Sequence, residues 1–229
     1  MPEVTYYGHW ICPYAKRVKF ALVHKGIGHD EVVLPPSALR PKDQALPPEF
    51  VQHSPRREIP MIRHGTHYVA DSIPILRYLE DHFGERPLLP KDAEGRKAVM
   101  KRVWWLDGNV MINAGRLYYG YKPHHIKSAS EALTVALDEA ETWLEGQDWL
   151  CGNAPTLAEV ILIPIYVRLE GLRRLGFDWG GPGRKMAAHL DRCRALPGWE
   201  AVAWSQAQED DYVGRFTKYR EIRLRAPSH

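Results

Sequence analysis

Residues 6–22 read YYGHWICPYAKRVKFAL, and the change of grammar in the middle of this stretch decides the fold. Ahead of it, Glu3-Val4-Thr5-Tyr6-Tyr7 is short and rich in β-forming residues. Gly8, His9, Trp10 and Ile11 then lead to Cys12-Pro13, where a helical pattern starts. Val18, Leu22 and Val23 stand at i, i+4 and i+5, and Gly26 ends the run. Proline suits the first helical turn, because the N–H it lacks has no partner there in any case. A second strand fits Glu31 to Leu34, so a helix joins two strands that must run parallel. Pro35 to Pro48 reads as a loop, with a short helix after Pro48. Met61-Ile62-Arg63 and His67-Tyr68-Val69 flank Gly65 as an antiparallel hairpin. Asp71 and Ser72 open a helix from about Ile73 to His82, and Gly84 closes it.

The order β-α-β-(loop/α)-β-β-α describes a thioredoxin-like mixed sheet over residues 1–83. Residues 84–91 (GERPLLPK) read as a linker. Beyond them the pattern is helical, over about 92–119, 127–145, 157–175 and 184–195, with a short piece near 198–204. The expected class is therefore α+β, a thioredoxin-like domain followed by an all-α domain over 92–229. The last 18 residues hold five Lys/Arg against one Glu and read as a surface-running basic tail. Gly180-Gly181-Pro182-Gly183 reads as an interhelical loop.

The 229 residues are enough for one or two domains, and the near balance of 31 Lys+Arg against 28 Asp+Glu gives a formal charge of +3. That balance argues against a nucleic-acid binder. The apolar run Val160–Val167 is too short to span a membrane, which takes about 20 residues. No basic, apolar leader opens the chain. Three cysteines, Cys12, Cys151 and Cys193, do not make a disulfide framework. The reading is a cytoplasmic protein with free thiols.

Four local signals carry chemistry or folding information. Cys12 stands at a strand-to-helix junction, beside unpaired backbone N–H groups and the positive end of the helix dipole, and both favour thiolate over the ordinary thiol value of about 8.5. It is read as a reactive thiol rather than a buried small hydrophobe. The pattern C-P-Y-A offers no second local cysteine, so Cys12 must exchange with an external thiol. Ile59-Pro60 before the hairpin fits either a cis peptide, whose preceding N–H and C=O pair with an extended ligand, or a plain trans proline at a strand start. Asp71-Ser72 suits the α-amino-acid end of a ligand, or a plain N-cap. Thr156-Leu157-Ala158-Glu159 is a capping box with a folding role.

In this order and at these distances the signals resemble the soluble glutathione transferases, over nearly the whole chain. YYGHWICPYAKRVKFAL is similar to the opening of the omega class, and IPMIRHG…VADSIPILRYLEDHFGERPLLP to the family's cis-proline strand, acidic-Ser turn, third helix and linker. Bacterial omega-like enzymes, glutathione lyases and ether-cleaving transferases share these features. The resemblance implies glutathione as co-substrate, Cys12 as catalytic nucleophile, and Ile59, Pro60, Asp71 and Ser72 as glutathione contacts, with Arg57 and Tyr14 added. It also implies a homodimer. Omega members place a Lys before a Pro-Glu-aromatic segment, whereas Pro47 precedes Pro48-Glu49-Phe50 here. His53, Arg56 and Arg57 are the candidates to hold the glycyl carboxylate instead. Tyr6 and Tyr7 are read as structural. A hydrophobic-substrate pocket is expected between the domains, walled by Trp10, Trp104, Met111 and Tyr118 and suited to an aromatic electrophile.

Three activities fit: thiol transfer or deglutathionylation through Cys12; conjugation, dehalogenation or ether cleavage by an activated glutathione; and non-catalytic binding of a partner such as RNA polymerase. No metal is expected, since neither His64 and His67 nor His124-His125 has ligand spacing. No membrane or nucleic-acid partner is expected.

Overall fold

The computed structural model describes residues 4–181 and 183–225. Glu3, Pro182 and residues 226–229, which figure in the sequence reading, lie outside the described residues. The chain forms two compact units: one runs to Leu89 and includes Ala195–Val202, the other comprises Pro90–Arg194 and the chain from Ala203.

The first unit is built on a four-stranded sheet in the order β2-β1-β3-β4, from β1 (Val4–Gly8), β2 (His29–Val33), β3 (Met61–His64) and β4 (His67–Ala70). β1 pairs parallel with β2, Tyr6 opposite Glu31, and antiparallel with β3, Tyr6 opposite Ile62. β3 and β4 form the hairpin, with Met61 opposite Ala70. Both faces of β1 are covered, so Val4, Tyr6, Tyr7 and Gly8 are all buried. The second strand starts at His29, two residues before the expected Glu31, because its pairing with β1 begins at Val4 and not at the most apolar stretch.

Helix α1 (Pro13–Lys25) follows β1, with Pro13 in its first turn and Gly26 at φ 73° closing it through bonds from its N–H to the Leu22 and Val23 carbonyls. α2 (Pro48–His53) is the short helix expected after Pro48, and α3 (Ser72–His82) follows the hairpin. α1 is buried far beyond its apolar face, with Lys16, Arg17, His24 and Lys25 all under 6% exposed. The burial of Lys25 is balanced by Glu80 of α3. Lys25 Nζ lies 2.8 Å from Glu80 Oε1, while Glu80 Oε2 accepts the Leu88 and Leu89 backbone N–H at 2.9 and 3.0 Å.

Residues 195–202, read from sequence as part of the helical domain, belong to the first unit. Lys16 Nζ donates to the Val202 carbonyl, and a Cβ on Gly198 would stand 2.6 Å from the Phe20 carbonyl oxygen. Only a glycine lets that segment reach α1 so closely. The helical piece expected near 198–204 is a series of turns.

The described residues of the second unit form helices joined by turns and loops. α4 (Ala93–Leu106) is capped by Asp92, whose carboxylate accepts the Gly95 N–H. A π-helical turn (Asp107–Met111) leads into α5 (Ile112–Tyr119), so the single helix expected over 92–119 contains an extra-residue bulge. α6 (Pro123–Thr142), α7 (Leu157–Arg174) and α8 (Arg184–Arg194) follow. The capping box forms as read, and Glu159 does more than cap. Fully buried, it also accepts the Leu150 N–H at 2.6 Å and lies 3.3 Å from His189 Nε2, tying the loop before α7 to α8.

The expected basic tail is instead helix α9 (Gln206–Arg225). Tyr212 and Phe216 are buried, and Tyr118 of α5 packs 4.7 Å from Phe216 between ring centres. Tyr212, Phe216 and Tyr219 recur at i, i+4 and i+7, the helical signal that the high charge of this segment obscured.

Candidate functional site

Cys12 is the N-cap of α1, in extended backbone at φ −78°, ψ 119°, where the chain turns out of the sheet. Its N–H donates to the His9 carbonyl at 3.1 Å and its own carbonyl accepts the Lys16 N–H at 3.0 Å. The thiol sulfur lies 4.0 Å from the Ile59 carbonyl oxygen. Ile59-Pro60 is a cis peptide bond, and the Pro60 carbonyl accepts the Asp71 N–H at 3.1 Å. The sequence-selected residues Cys12, Ile59, Pro60, Asp71 and Ser72 thus form one continuous run from the start of α1, across the entry to β3, to the start of α3.

Asp71 holds φ at 72°, a left-handed conformation that costs a non-glycine residue about 1–3 kcal/mol and is found disproportionately at functional sites. Its side chain does not cap α3; it pairs with exposed Arg56. Ser72, the first residue of α3, is buried, and its hydroxyl oxygen accepts Nη1 of Arg17 at 3.2 Å. Arg17 is wholly buried, with its guanidinium 4.8 Å from the ring centre of half-exposed Tyr14. Sequence reasoning passed over Arg17, because a basic residue on a helix is ordinarily solvated.

Of the three candidates for the glycyl carboxylate, His53 stacks on Tyr68 with ring centres 3.8 Å apart, and Arg56 pairs with Asp71. Arg57 is exposed at φ 52°, its carbonyl accepting Nη1 of Arg40 at 3.0 Å.

Both tyrosines of β1 have committed hydroxyls. Tyr6 donates to the Ala15 carbonyl at 2.8 Å; burial, then the charge of Cys12 and then that of Glu31, push its ionisation well above the usual value. Gly8 makes this possible, since a Cβ there would overlap the Tyr6 ring. Tyr7 donates to Glu49 Oε1 at 2.9 Å, and burial followed by this bond pushes its pKa up to about 12.

The four residues selected for a hydrophobic pocket divide between the units. Trp10 is half-buried in the first. In the second, Trp104 is exposed on α4, Met111 is buried in the π-helical turn, and Tyr118 joins the aromatic cluster with Tyr212 and Phe216. A groove of about 590 Å³ in the second unit is lined by Trp105, Asn109, Asn113, Val135 and Glu139, among others, and by none of those four. Among the described residues no group of His, Cys, Asp and Glu is arranged to hold a metal ion, and no helix is long and apolar enough to cross a membrane. The three cysteines form no disulfide.

A thioredoxin-like unit with a cis-proline before its third strand, followed by a helical unit, defines a two-domain architecture. Residues 11–82 match the glutathione S-transferase N-terminal domain and residues 110–197 the glutathione S-transferase C-terminal domain, together more than half of the chain. The chain belongs to the glutathione S-transferase family. It is 29% identical over 177 residues to glutathione S-transferase 1 of Dianthus caryophyllus, covering 71% of this chain and 75% of that protein. It is 26% identical over 236 residues to glutathione S-transferase TCHQD of Arabidopsis thaliana, covering 83% and 86%. Among solved structures it is similar to glutathione transferase Omega 3C of Trametes versicolor (TM-score 0.78, 19% identity, 97% and 93% covered). It is also similar to rice GST1 in complex with glutathione (TM-score 0.80, 19% identity, 96% and 97% covered).

Proposed function

We propose that this chain is a glutathione transferase of the cysteine type, acting by thiol transfer or deglutathionylation. The observation that carries the reading is the position of Cys12: at the first turn of α1, 4.0 Å from the Ile59 carbonyl oxygen, with the hydroxyls of Tyr6 and Tyr7 already given to other acceptors. The Cys12 thiolate attacks the glutathionyl sulfur of a mixed disulfide; a Cys12–glutathione disulfide forms and the other thiolate leaves, taking a proton from solvent. A second glutathione thiolate then attacks the glutathionyl sulfur, glutathione disulfide departs, and Cys12 is restored as thiolate. In this reading the Ile59 backbone pairs with the cysteinyl part of glutathione beside Pro60, and Asp71 and Ser72 receive the γ-glutamyl ammonium and carboxylate. Arg57, exposed and not paired with Asp71 as Arg56 is, takes the glycyl carboxylate. A homodimer, an aromatic electrophile and a cytoplasmic location belong to the same proposal, by resemblance to the omega-like members.

Cys12→Ala and Tyr7→Phe separate this reading from conjugation by an activated glutathione. Cys12→Ala is expected to abolish thiol-transferase turnover with a glutathionylated disulfide substrate, and Tyr7→Phe to change it less than threefold. Full turnover by Cys12→Ala, or its loss in Tyr7→Phe with the fold intact, refutes the assignment. A wild-type chain that is not retained on glutathione resin favours the non-catalytic alternative.

A further inference from the structure

The turn that delivers Cys12 to the head of α1 is closed twice by one residue, His9. The His9 carbonyl accepts the Cys12 N–H at 3.1 Å, which makes His9 to Cys12 a four-residue turn with Trp10 and Ile11 at its corner. Inside that turn the His9 ring nitrogen Nδ1 accepts the Ile11 N–H at 3.2 Å. Ile11 and Cys12 are both buried, so their N–H groups have little water to turn to and depend on these acceptors. Accepting from the N–H two residues on is the bond that Asp and Asn side chains ordinarily make in turns. His9 makes it through the ring nitrogen that stands where an Asn carries its amide oxygen. To accept, Nδ1 must keep its lone pair, so the proton of the neutral ring sits on Nε2.

We infer that His9 is a positioning residue for the Cys12 sulfur. Its ring holds the Ile11 N–H inside the turn, and the turn fixes Cys12 as the N-cap of α1, with the sulfur 4.0 Å from the Ile59 carbonyl oxygen. The inference rests on the cysteine reading proposed above and deepens it. Without the ring acceptor the Ile11 N–H seeks another partner and the turn opens. The sulfur then leaves the place where backbone N–H groups favour thiolate and where it meets the glutathionyl sulfur in line. Ile59, Asp71 and Ser72, the proposed glutathione contacts, lie on other segments, so His9 acts on the nucleophile and not on the affinity for glutathione. In this role the ring moves no proton.

Asn and Gln separate the two ring nitrogens, since the Asn amide oxygen falls near Nδ1 and the Gln oxygen near Nε2. The test compares His9→Asn, His9→Gln and His9→Leu in three measurements: iodoacetamide alkylation of Cys12 followed by peptide mass analysis, thiol-transferase turnover with a glutathionylated disulfide substrate, and calorimetric binding of S-methylglutathione. His9→Leu and His9→Gln are expected to slow alkylation and turnover about tenfold or more, the scale of a misplaced reacting group. His9→Asn should stay within about threefold of wild type, because it restores the acceptor. All three should bind S-methylglutathione within about twofold of wild type, the mark of a change confined to the reacting step. Thermal unfolding reports the fold of each variant; where His9→Leu does not fold, the polar His9→Gln carries the comparison. Rescue by Gln in place of Asn, or a loss in His9→Asn as deep as in His9→Leu, assigns the task to Nε2 or to proton transfer by the ring and overturns the inference. Binding losses that match the rate losses overturn it as a general distortion, and so do unchanged rates in all three variants. Those results leave the Cys12 reading standing, whereas full turnover by Cys12→Ala overturns that reading, and this inference with it.

Discussion

Lys25 and Glu80 hold α1 against α3, the two helices whose first residues frame the proposed glutathione site. The Lys25 and Glu80 side chains are 0% and 2% exposed, 2.8 Å apart, and Glu80 also accepts two backbone N–H groups from Leu88 and Leu89. Lys25→Met leaves a buried carboxylate facing only those two donors, and Glu80→Gln leaves a buried ammonium facing a neutral amide. Removing one partner of a buried pair costs about 3–5 kcal/mol, because the survivor is desolvated without compensation. The double variant Lys25→Met/Glu80→Gln carries no buried charge, and its amide oxygen still accepts from Leu88 and Leu89. It should therefore be more stable than the two single losses added together, by at least about 2 kcal/mol. The contrasting pair is Lys127–Glu131, 79% and 66% exposed, whose removal should cost under about 1 kcal/mol. Native-state hydrogen exchange of α1 and α3 amides reads the stability of the first unit without assuming that both units unfold together. Single variants costing under about 1 kcal/mol, or losses that simply add, would refute the argument.

Two other outcomes follow from buried groups. His24 is buried, and desolvation followed by the Arg86 and Lys25 charges lowers its pKa from 6.5 to about 4. The unfolded chain therefore takes up a proton that the folded chain refuses, so the stability contributed by the neutral ring is complete above about pH 6.5 and falls away as pH drops toward about 4. At 1.36 kcal/mol per unit, His24→Leu should flatten the pH dependence of unfolding across that window by about 3 kcal/mol; identical slopes for variant and wild type would contradict this. Burial, ahead of the Glu159 charge, raises Cys151 to about 11 and pushes Cys193 well above the ordinary thiol value. Near pH 8 about one Cys151 in a thousand is thiolate, so iodoacetamide on the native chain should label Cys12 first, by peptide mass analysis; faster labelling of Cys193 or Cys151 would contradict it.

The strand-helix-strand opening, the hairpin and the capping box were legible in the sequence, because each rests on local chemistry. Proline in a first helical turn, glycine at a tight turn and a Thr-x-x-Glu pair mean the same wherever they occur. Cys12, Ile59, Pro60, Asp71 and Ser72 each sit at a junction between elements, and their reading as a glutathione site came from the family resemblance and stays part of the proposal. What escaped was long-range. Arg17, Lys25 and Glu159 look like surface charges until the groups that surround them are known. Residues 195–202 read as helical-domain chain, but the Lys16–Val202 hydrogen bond and the close approach of Gly198 to Phe20 tie them to the first unit. The π-helical turn leaves no mark on a 3.6-residue pattern, and α9 was hidden because its charges outnumber the three aromatics that anchor it.

The central claim is that the Cys12 sulfur is the atom that carries glutathione. Intact mass of the native protein after treatment with glutathione disulfide tests it most directly, followed by peptide mapping of the adduct. The account predicts one glutathionyl group on Cys12, removed by reduced glutathione and missing from Cys12→Ala. No adduct on the wild type, or an adduct carried by Cys151 or Cys193 in its place, would contradict it.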